Sequence, residues 1–412
     1  MDKKTIVVVG GGFGGVYAAK FLIRYFRGNN LIDIVLISKD NYFVFTPMLH
    51  EVATGGLNIR CVAEPIREAI KGKNFHFVMD EVEKIDMKIK EVHCRNFCVP
   101  FDYVVVASGS TSHHFGVPGA KEHTLPLKSL ADAVRIKNHV VKQFELATRR
   151  PTHAKEALTF VIVGGGPTGV ELAADLKEFV SQLKRRAYHL IKDVEPRVIL
   201  CSRAPQLMKE SGEKISRLTE QELAKKGVEL MLGADIVEVT KSGVKLSAKG
   251  QIESNSVLWT AGVIPNKIKT IPELHNDKGH LEVTSFLHHA QESRLYAIGD
   301  CAQLIDQKTG KPIPKLAQAA LAEAKHVAKN IFERVTGGQM EPFVFKQKGF
   351  LVSIGSKYAI ADIKGFIFRG FFAWWLWRTI YLFKLLSFKN KLRTAFDWTI
   401  DLFYDRDITV IK

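Results

Sequence analysis

The chain has little of what marks disulfide-stapled, zinc-holding or membrane-spanning proteins. It has five cysteines, at positions 61, 94, 98, 201 and 301, and none forms a C-x-x-C pair. That excludes the common structural zinc frame and suggests a reducing compartment, with each cysteine read as a small buried hydrophobe. His113 and His114 stand too close together to form a metal site alone, so no metal is expected. Long apolar runs are missing too. In the most aromatic stretch the longest uncharged run is Gly370–Trp377, against the ~20 apolar residues a spanning helix needs. Only Met1–Thr5 precede the first strand-like run, so no signal or transit peptide is expected.

Acidic charge is the scarcer sign. The 412 residues include 59 Lys and Arg against 43 Asp and Glu, a net charge of +16. Such an excess argues for an anionic partner surface. No motif for reading RNA or DNA is present, which places lipid ahead of nucleic acid. Composition is otherwise globular, at 46% hydrophobic and 25% charged, and the length allows two or three domains with real cores.

Glycine is where the chain is rich. Ile6–Val9 are four β-formers that run into glycines at 10, 11, 12, 14 and 15, followed by the helix-prone Val16–Arg24. Gly10, Gly12 and Gly15 fit G-x-G-x-x-G between a strand and a helix. In that pattern the first glycine permits the turn, the second lets backbone approach a pyrophosphate, and the third lets helix and strand pack closely. The helix start adds free N–H groups and a positive dipole end. Thr159–Glu171 (TFVIVGGGPTGVE) repeats the pattern with Gly164, Gly166 and Gly169. Two such units in one chain are far more specific than one.

The surroundings repeat as well. Phe75–Pro100 and Gly227–Leu246 both alternate and read as antiparallel strands. Phe101–Gly109 and Val257–Gly262 are both buried strands with small-residue stops at Gly109 and Gly262. A basic amphipathic helix is expected over Leu130–Arg149, ended by Pro151, and a long one over Thr168–Lys192. Arg294–Asp300 reads as one more buried strand closing on Gly299 and Asp300, then Leu316–Phe332 as a helix. Acids are absent where a dinucleotide fold wants one, at the end of the second strand of each unit. Leu31–Ser38 ends in Ser38, with Asp40 beyond it, and Arg197–Ser202 ends in Ser202, followed by Arg203. A serine bonds a ribose hydroxyl more weakly than a carboxylate does, and Ser202 with Arg203 would tolerate the extra phosphate of NADPH.

Asn41–Leu57 (NYFVFTPMLHEVATGGL) is too irregular for one element and suits either a core loop or the apolar wall of a flat cofactor. The tail Gly365–Phe388 has no upstream counterpart. It packs three tryptophans into positions 374–377 and spaces Arg369, Arg378, Lys384 and Lys389 along the aromatics. A helix lying in the membrane interface is expected.

Together these stretches resemble the two-dinucleotide-domain flavoproteins and, more narrowly, the type II NADH dehydrogenases, single-subunit NADH:quinone oxidoreductases that pump no protons. The resemblance covers nearly the whole chain. It is carried by VVVGGGFGG, NYFVFTPMLHEVATGGL, DYVVVASGS, FVIVGGGPTGVELA, VLWTAGV, YAIGDCA, KLAQAA and GFFAWWLW…FDWTIDLFY. It implies an α/β fold of two Rossmann-like domains with inserted β-hairpins and a C-terminal membrane-associating helical module. The division expected is 1–118 and 266–336 for FAD, 119–265 for NADH or NADPH, and 337–412 for the membrane.

By position, the resemblance places the FAD pyrophosphate on Gly10, Gly12, Gly14 and Gly15, and FAD oxygens near Asp300. It lays the isoalloxazine against Thr46, Pro47 and Leu49, and the nicotinamide dinucleotide on Gly164, Gly166 and Gly169. Glu171 and Gln318 become the candidates for moving protons to a quinone, with Ala317 opening the quinone motif. The second glutamine of that motif is replaced by Ala322, with Glu323 beside it. The implied partners are a membrane quinone and an anionic membrane surface, on the cytoplasmic face and without spanning, and a homodimer is compatible. A flavin disulfide reductase or NADH peroxidase would need cysteine beside the flavin, and none lies within Ser38–Arg60. A sulfide:quinone oxidoreductase also needs redox cysteines, for which Cys61, Cys94, Cys98 and Cys301 stand as candidates, while the intact second glycine motif argues for nicotinamide. A slow-turnover FAD-binding signalling protein is the rival from another class.

Overall fold

The computed structural model describes residues 3–247 and 250–410. Contacts divide the chain into two units. The first takes residues up to Val44, Ala63–Thr111 and Val263–Gln347. Its centre is a five-stranded parallel sheet in the order Leu295–Ala297, Tyr103–Val106, Lys4–Val9, Ile32–Ser38, Phe75–Met79. The inner strands are apolar on both faces, as parallel strands must be when both faces are covered. One face carries the helix Phe13–Tyr25, packed along the helix Ala317–Thr336 with Tyr25 and Phe26 against Phe332. The other face buries Val7, Val9, Val35 and Ile37 against Ile85 and Val92 of a second, four-stranded sheet.

The second unit takes Phe45–Val62, Ser112–Gly262 and residues from Lys348 onward. It repeats the plan. Its parallel sheet runs Leu125–Pro126, Ser256–Trp259, Thr159–Val163, Arg197–Ser202, Glu229–Leu232. An antiparallel sheet begun by Ile236–Thr240 and Gly243–Leu246 closes a core of Val161, Ile199, Val239, Val244 and Trp259. To this are added the antiparallel strands Phe350–Ser353, Ala359–Ile363 and Phe366–Gly370, then the helices Phe371–Lys384 and Phe388–Ile400.

Three sequence expectations are corrected. Phe75–Met79 and Glu229–Leu232 are parallel edge strands, not arms of hairpins. Edge strands are half-buried, so they alternate as antiparallel strands do. The antiparallel pairing starts only at Val82 and Ile236. The helix expected over Thr168–Lys192 runs Pro167–Gln182 and ends in a wide π-type turn, Leu183–Ala187. There Lys184 Nζ donates to the Val194 carbonyl at 2.9 Å, tying the end of the helical run to the segment that follows it. The tail, expected as one helix, is a strand and two helices. Of its tryptophans only Trp375 is exposed, and Trp374 and Trp377 are buried.

Candidate functional site

The first glycine loop stands at the end of the central strand. Gly10 sits at φ +114°, where a side chain would run into the Ala107 carbonyl, and a Cβ on Gly15 would strike the Gly10 carbonyl. These two glycines are fixed by the fold itself. Gly14 is buried against Ala107 and Ile298. Gly12 differs. It caps the helix Phe13–Tyr25, and a Cβ there would meet nothing within 4 Å. An open cradle at a helix N-terminus is what a pyrophosphate requires. Gly109 is likewise open to one side. Gly299 and Asp300 form a short turn in which the Ser110 hydroxyl donates to the Asp300 carboxylate. The Gly299 N–H donates to Glu323 Oε2 at 2.6 Å. Burial pushes the Glu323 carboxyl up, against the opposing pull of that N–H and of Lys315. Ala317 and Gln318 open the long helix and are half-buried.

The second loop is built alike. Gly164 stands at φ +126°, Gly169 abuts the Gly164 carbonyl, and Gly166 caps the helix Pro167–Gln182 with nothing within 4 Å of a Cβ. The two strand-end serines occupy matching places, since a Cβ on Gly11 would meet Ser38 Oγ and one on Gly165 would meet Ser202 Oγ. Both serines are buried. Arg203 is exposed and pairs with Asp235 at 2.9 Å, its guanidinium 5.7 Å above the Phe115 ring. That same ring lies where a side chain on Gly262 would go.

Glu171 and Asp175 face one way, because residues four apart share a helix face. On that face lies His50. Thr46 and Pro47 form a short turn that feeds the helix Leu49–Ala53, and this helix buries Leu49 and His50. His50 Nδ1 is 2.7 Å from Asp175 Oδ2, and its Nε2 lies 3.7 Å from Glu171 Oε2. Glu171 Oε1 accepts the Ser353 N–H at 3.1 Å. Asp175 is bonded from the far side by Arg406, which also reaches Glu178 at 3.0 Å. Glu51 accepts the Trp398 indole N–H at 2.7 Å. Arg378 is held between the Trp374 and Trp398 rings, 4.0 and 4.8 Å from their centres.

Burial dominates the electrostatics. It drives the Glu171 carboxyl up to about 7, with His50 and the Ser353 N–H opposing. It pulls the His50 imidazolium down, but Glu171, Asp175 and Glu51 outweigh it and hold His50 up at about 9. Burial would raise Asp175 too, but Arg406 and His50 keep it below the usual range. Asp401 is pushed up to about 7 by burial and by Glu51. Such opposed shifts in one pocket are typical of groups that handle protons.

The sequence reading found Glu171 but missed its partners. Asp175 carried a signal, its i+4 spacing from Glu171, and His50 lay inside the stretch already singled out. Arg406 and Asp235 carried none. The cysteines are all free and only Cys98 is exposed. Burial and Asp397 push the Cys61 thiol up to about 12, which suits packing rather than thiolate chemistry. Cys98 does approach His93 and Glu91, whose ligand atoms lie within 4.8 Å of it.

A family model described as pyridine nucleotide-disulphide oxidoreductase matches residues 4–324, and one described as NDH2 C-terminal domain matches residues 347–407. The type II NADH:quinone oxidoreductase Ndh of Mycobacterium tuberculosis is 31% identical, over 97% of this chain and 88% of its own length. The chain belongs to the type II NADH:quinone oxidoreductase family. The external NADH-ubiquinone oxidoreductase 2 of Saccharomyces cerevisiae mitochondria is 28% identical over 100% of this chain and 83% of its own. In fold, the NDH2 of Plasmodium falciparum solved with NADH superposes with a TM-score of 0.91, at 21% identity and covering 99% of this chain and 100% of that one. The sulfide:quinone oxidoreductase of Aquifex aeolicus reaches 0.74, at 18% identity with 98% and 96% covered. No helix among the described residues is long and apolar enough to cross a membrane.

Proposed function

We propose that this chain is a flavin-dependent enzyme that passes electrons from NADH to a membrane quinone without pumping protons. The observation that carries it is the pair of open glycine cradles at Gly12 and Gly166, one per unit, each at a helix start with room where a side chain would be. One cradle suits a resident dinucleotide and the other a visiting one. FAD would be held by Gly10, Gly12, Gly14 and Gly15, with Ser38, Gly109, Gly299 and Asp300 toward its ribose and ribityl oxygens. Thr46, Pro47 and Leu49 would meet its ring. Gly164, Gly166, Gly169, Ser202, Arg203 and Gly262 would hold the nicotinamide dinucleotide. When bound, FAD supplies an acceptor for hydride and a donor of electron pairs. The protein's own tasks are to stack, to exclude water and to supply protons. A carboxyl held near 7, as Glu171 is, is matched to proton donation at neutral pH, and Gln318 would orient the quinone.

In this reading residues 1–118 and 266–336 serve FAD, 119–265 serve the nicotinamide, and 337–412 serve the membrane. The exposed Phe371, Phe372, Trp375, Phe383, Phe388 and Phe396 would lie in lipid and the surplus positive charge against anionic headgroups, at the cytoplasmic face. An anaerobic spectrum taken as NADH, NADPH and then a quinone are added tests the proposal. Bleaching of a flavin band by the donor and its return with quinone is expected. A colourless protein, or donor oxidation no faster than with free flavin, would reject the reading and favour a binding role.

A further inference from the structure

Inside the second unit, more acid is buried than the arginines can neutralise. Glu51, Glu171 and Asp175 are each at least nine-tenths buried. The cations that reach them are Arg406, on Asp175 and Glu178, and Arg378, between two indoles. Asp401 adds a further carboxyl nearby. Lys226 is taken by Glu178, and Lys137, on the helix Leu130–Arg149, by Asp407, each at 2.7 Å. Tyr381, pushed upward by burial and by Glu171, contributes no charge at neutral pH. Lys384 stands further out, its Nζ 5.4 Å from the centre of the Tyr381 ring. Among the described residues, the group that can turn positive in direct reach of both Glu171 and Asp175 is His50.

The geometry of His50 is decisive. It is 2% exposed, and Asp175 fixes its Nδ1 at 2.7 Å. Its Nε2 is buried with no hydrogen-bond partner among the described residues, and it is aimed at Glu171 from 3.7 Å. Leaving a buried donor or acceptor unmade costs about 1–3 kcal/mol. A stable core histidine would have been given a carbonyl. Here the open side faces the one carboxyl that the proposed function uses.

We propose that His50 is a positioning residue for Glu171: Asp175 clamps the imidazolium through Nδ1, and the Nε2–H side sets the pH at which Glu171 takes up its proton. Arg406 completes the device by keeping Asp175 ionised, so the anchor of the proton site is a residue of the tail. The inference rests on the reading that Glu171 serves the quinone half of the reaction, but its central claim concerns a coupling between two side chains. A positive neighbour favours the carboxylate, so removing it must move proton uptake by Glu171 to higher pH.

Two measurements on the full holoenzyme decide the matter. Infrared titration follows the protonated carboxyl band that Glu171→Gln abolishes. In the parent it should fade around pH 7, and in His50→Gln it should persist at least one pH unit higher. An unmoved band overturns the coupling, because a merely structural histidine would leave it in place. Should His50→Gln fail to fold, nitrogen NMR of the histidine-labelled parent still answers. One buried histidine should remain an imidazolium at pH 8, and Asp175→Asn should turn it neutral. A parent with only neutral histidines at pH 8 overturns the proposal. The quinone half-reaction then separates the two claims. If its pH limb moves with the infrared band, both stand. If the band moves and the limb does not, the coupling stands and the assignment of Glu171 to quinone fails.

Discussion

Arg203 Nε lies 2.9 Å from Asp235 Oδ1 at the end of the strand Arg197–Ser202. The arginine that would greet the extra phosphate of NADPH is therefore already answered by a carboxylate. Both side chains are exposed, and exposed pairs of this kind are worth about 0–1 kcal/mol, so the carboxylate discriminates more by its charge than by locking the arginine. We expect NADH to be the better donor in the parent. Asp235→Asn should shift the ratio of kcat/KM toward NADPH, by up to about tenfold per 1.36 kcal/mol of repulsion removed. An unchanged ratio would place the adenosine ribose elsewhere.

The two kinds of glycine in each loop should fail differently. A Cβ on Gly12 or Gly166 meets nothing, so Gly12→Val should fold and yet purify without flavin, and Gly166→Val should fold, keep flavin and lose NADH affinity. A Cβ on Gly15 strikes backbone, and Gly15→Ala should lower the melting temperature outright. Absorbance at the flavin band together with circular dichroism separates these outcomes. Full flavin in folded Gly12→Val would count against the cradle.

These contrasts mark how far the sequence could be read. Local pattern was enough for the two glycine units, for the helix Leu130–Arg149, whose ends are Ser129 and Arg150, and for the strand Arg197–Ser202. Such elements announce themselves through spacing of 2 or 3.6 and through turn glycines. Edge strands were misread because half-burial imitates antiparallel alternation. What could not be read was the company kept by Glu171. His50 is 125 positions from Asp175, and Arg406 a further 231 beyond it. No local rule connects residues at such separations. Charge spacing in the tail was also misleading, since Arg378 faces inward to two indoles rather than outward to headgroups.

Within the tail, membrane docking should depend on the outward-facing aromatics rather than on the buried ones. Phe383, Phe388 and Phe396 are exposed, and each apolar side chain buried in lipid is worth about 1.5–3 kcal/mol. Replacing all three by serine should weaken sedimentation with anionic vesicles at least about a hundredfold by the same estimate, while the melting temperature stays put. Trp398→Ala, by contrast, should destabilise by about 3–5 kcal/mol, because it empties a buried site and strips Glu51 of its indole donor. Undiminished vesicle binding by the triple variant would move the docking surface off the tail.

Stability should fall as the solution is made alkaline. His50 takes its proton more tightly folded, up at about 9 against an ordinary 6.5, so its contribution is complete below about pH 6.5 and is lost as pH rises through 9. Glu171, raised to about 7 from 4.5, has the same sign, with its loss completed earlier. Calorimetry should show the melting temperature declining between pH 6.5 and 9.5, with a shallower decline in His50→Gln. A parent midpoint that rises over that interval would contradict the buried imidazolium.

Arg406 donates to the Asp175 carbonyl from 231 positions downstream, and this has a consequence for how the chain is made. While the protein is being synthesised, the helix bearing Glu171 and Asp175 emerges early, and neither Arg378 nor Arg406 yet exists to answer its acids. Carboxylates without counter-charges cannot be taken out of water cheaply, so that face must stay wet until the segment bearing Arg378 and Arg406 has left the ribosome. The early-made sheets can settle as they appear. The pocket around His50 closes only once Arg406 has been made and can reach Asp175.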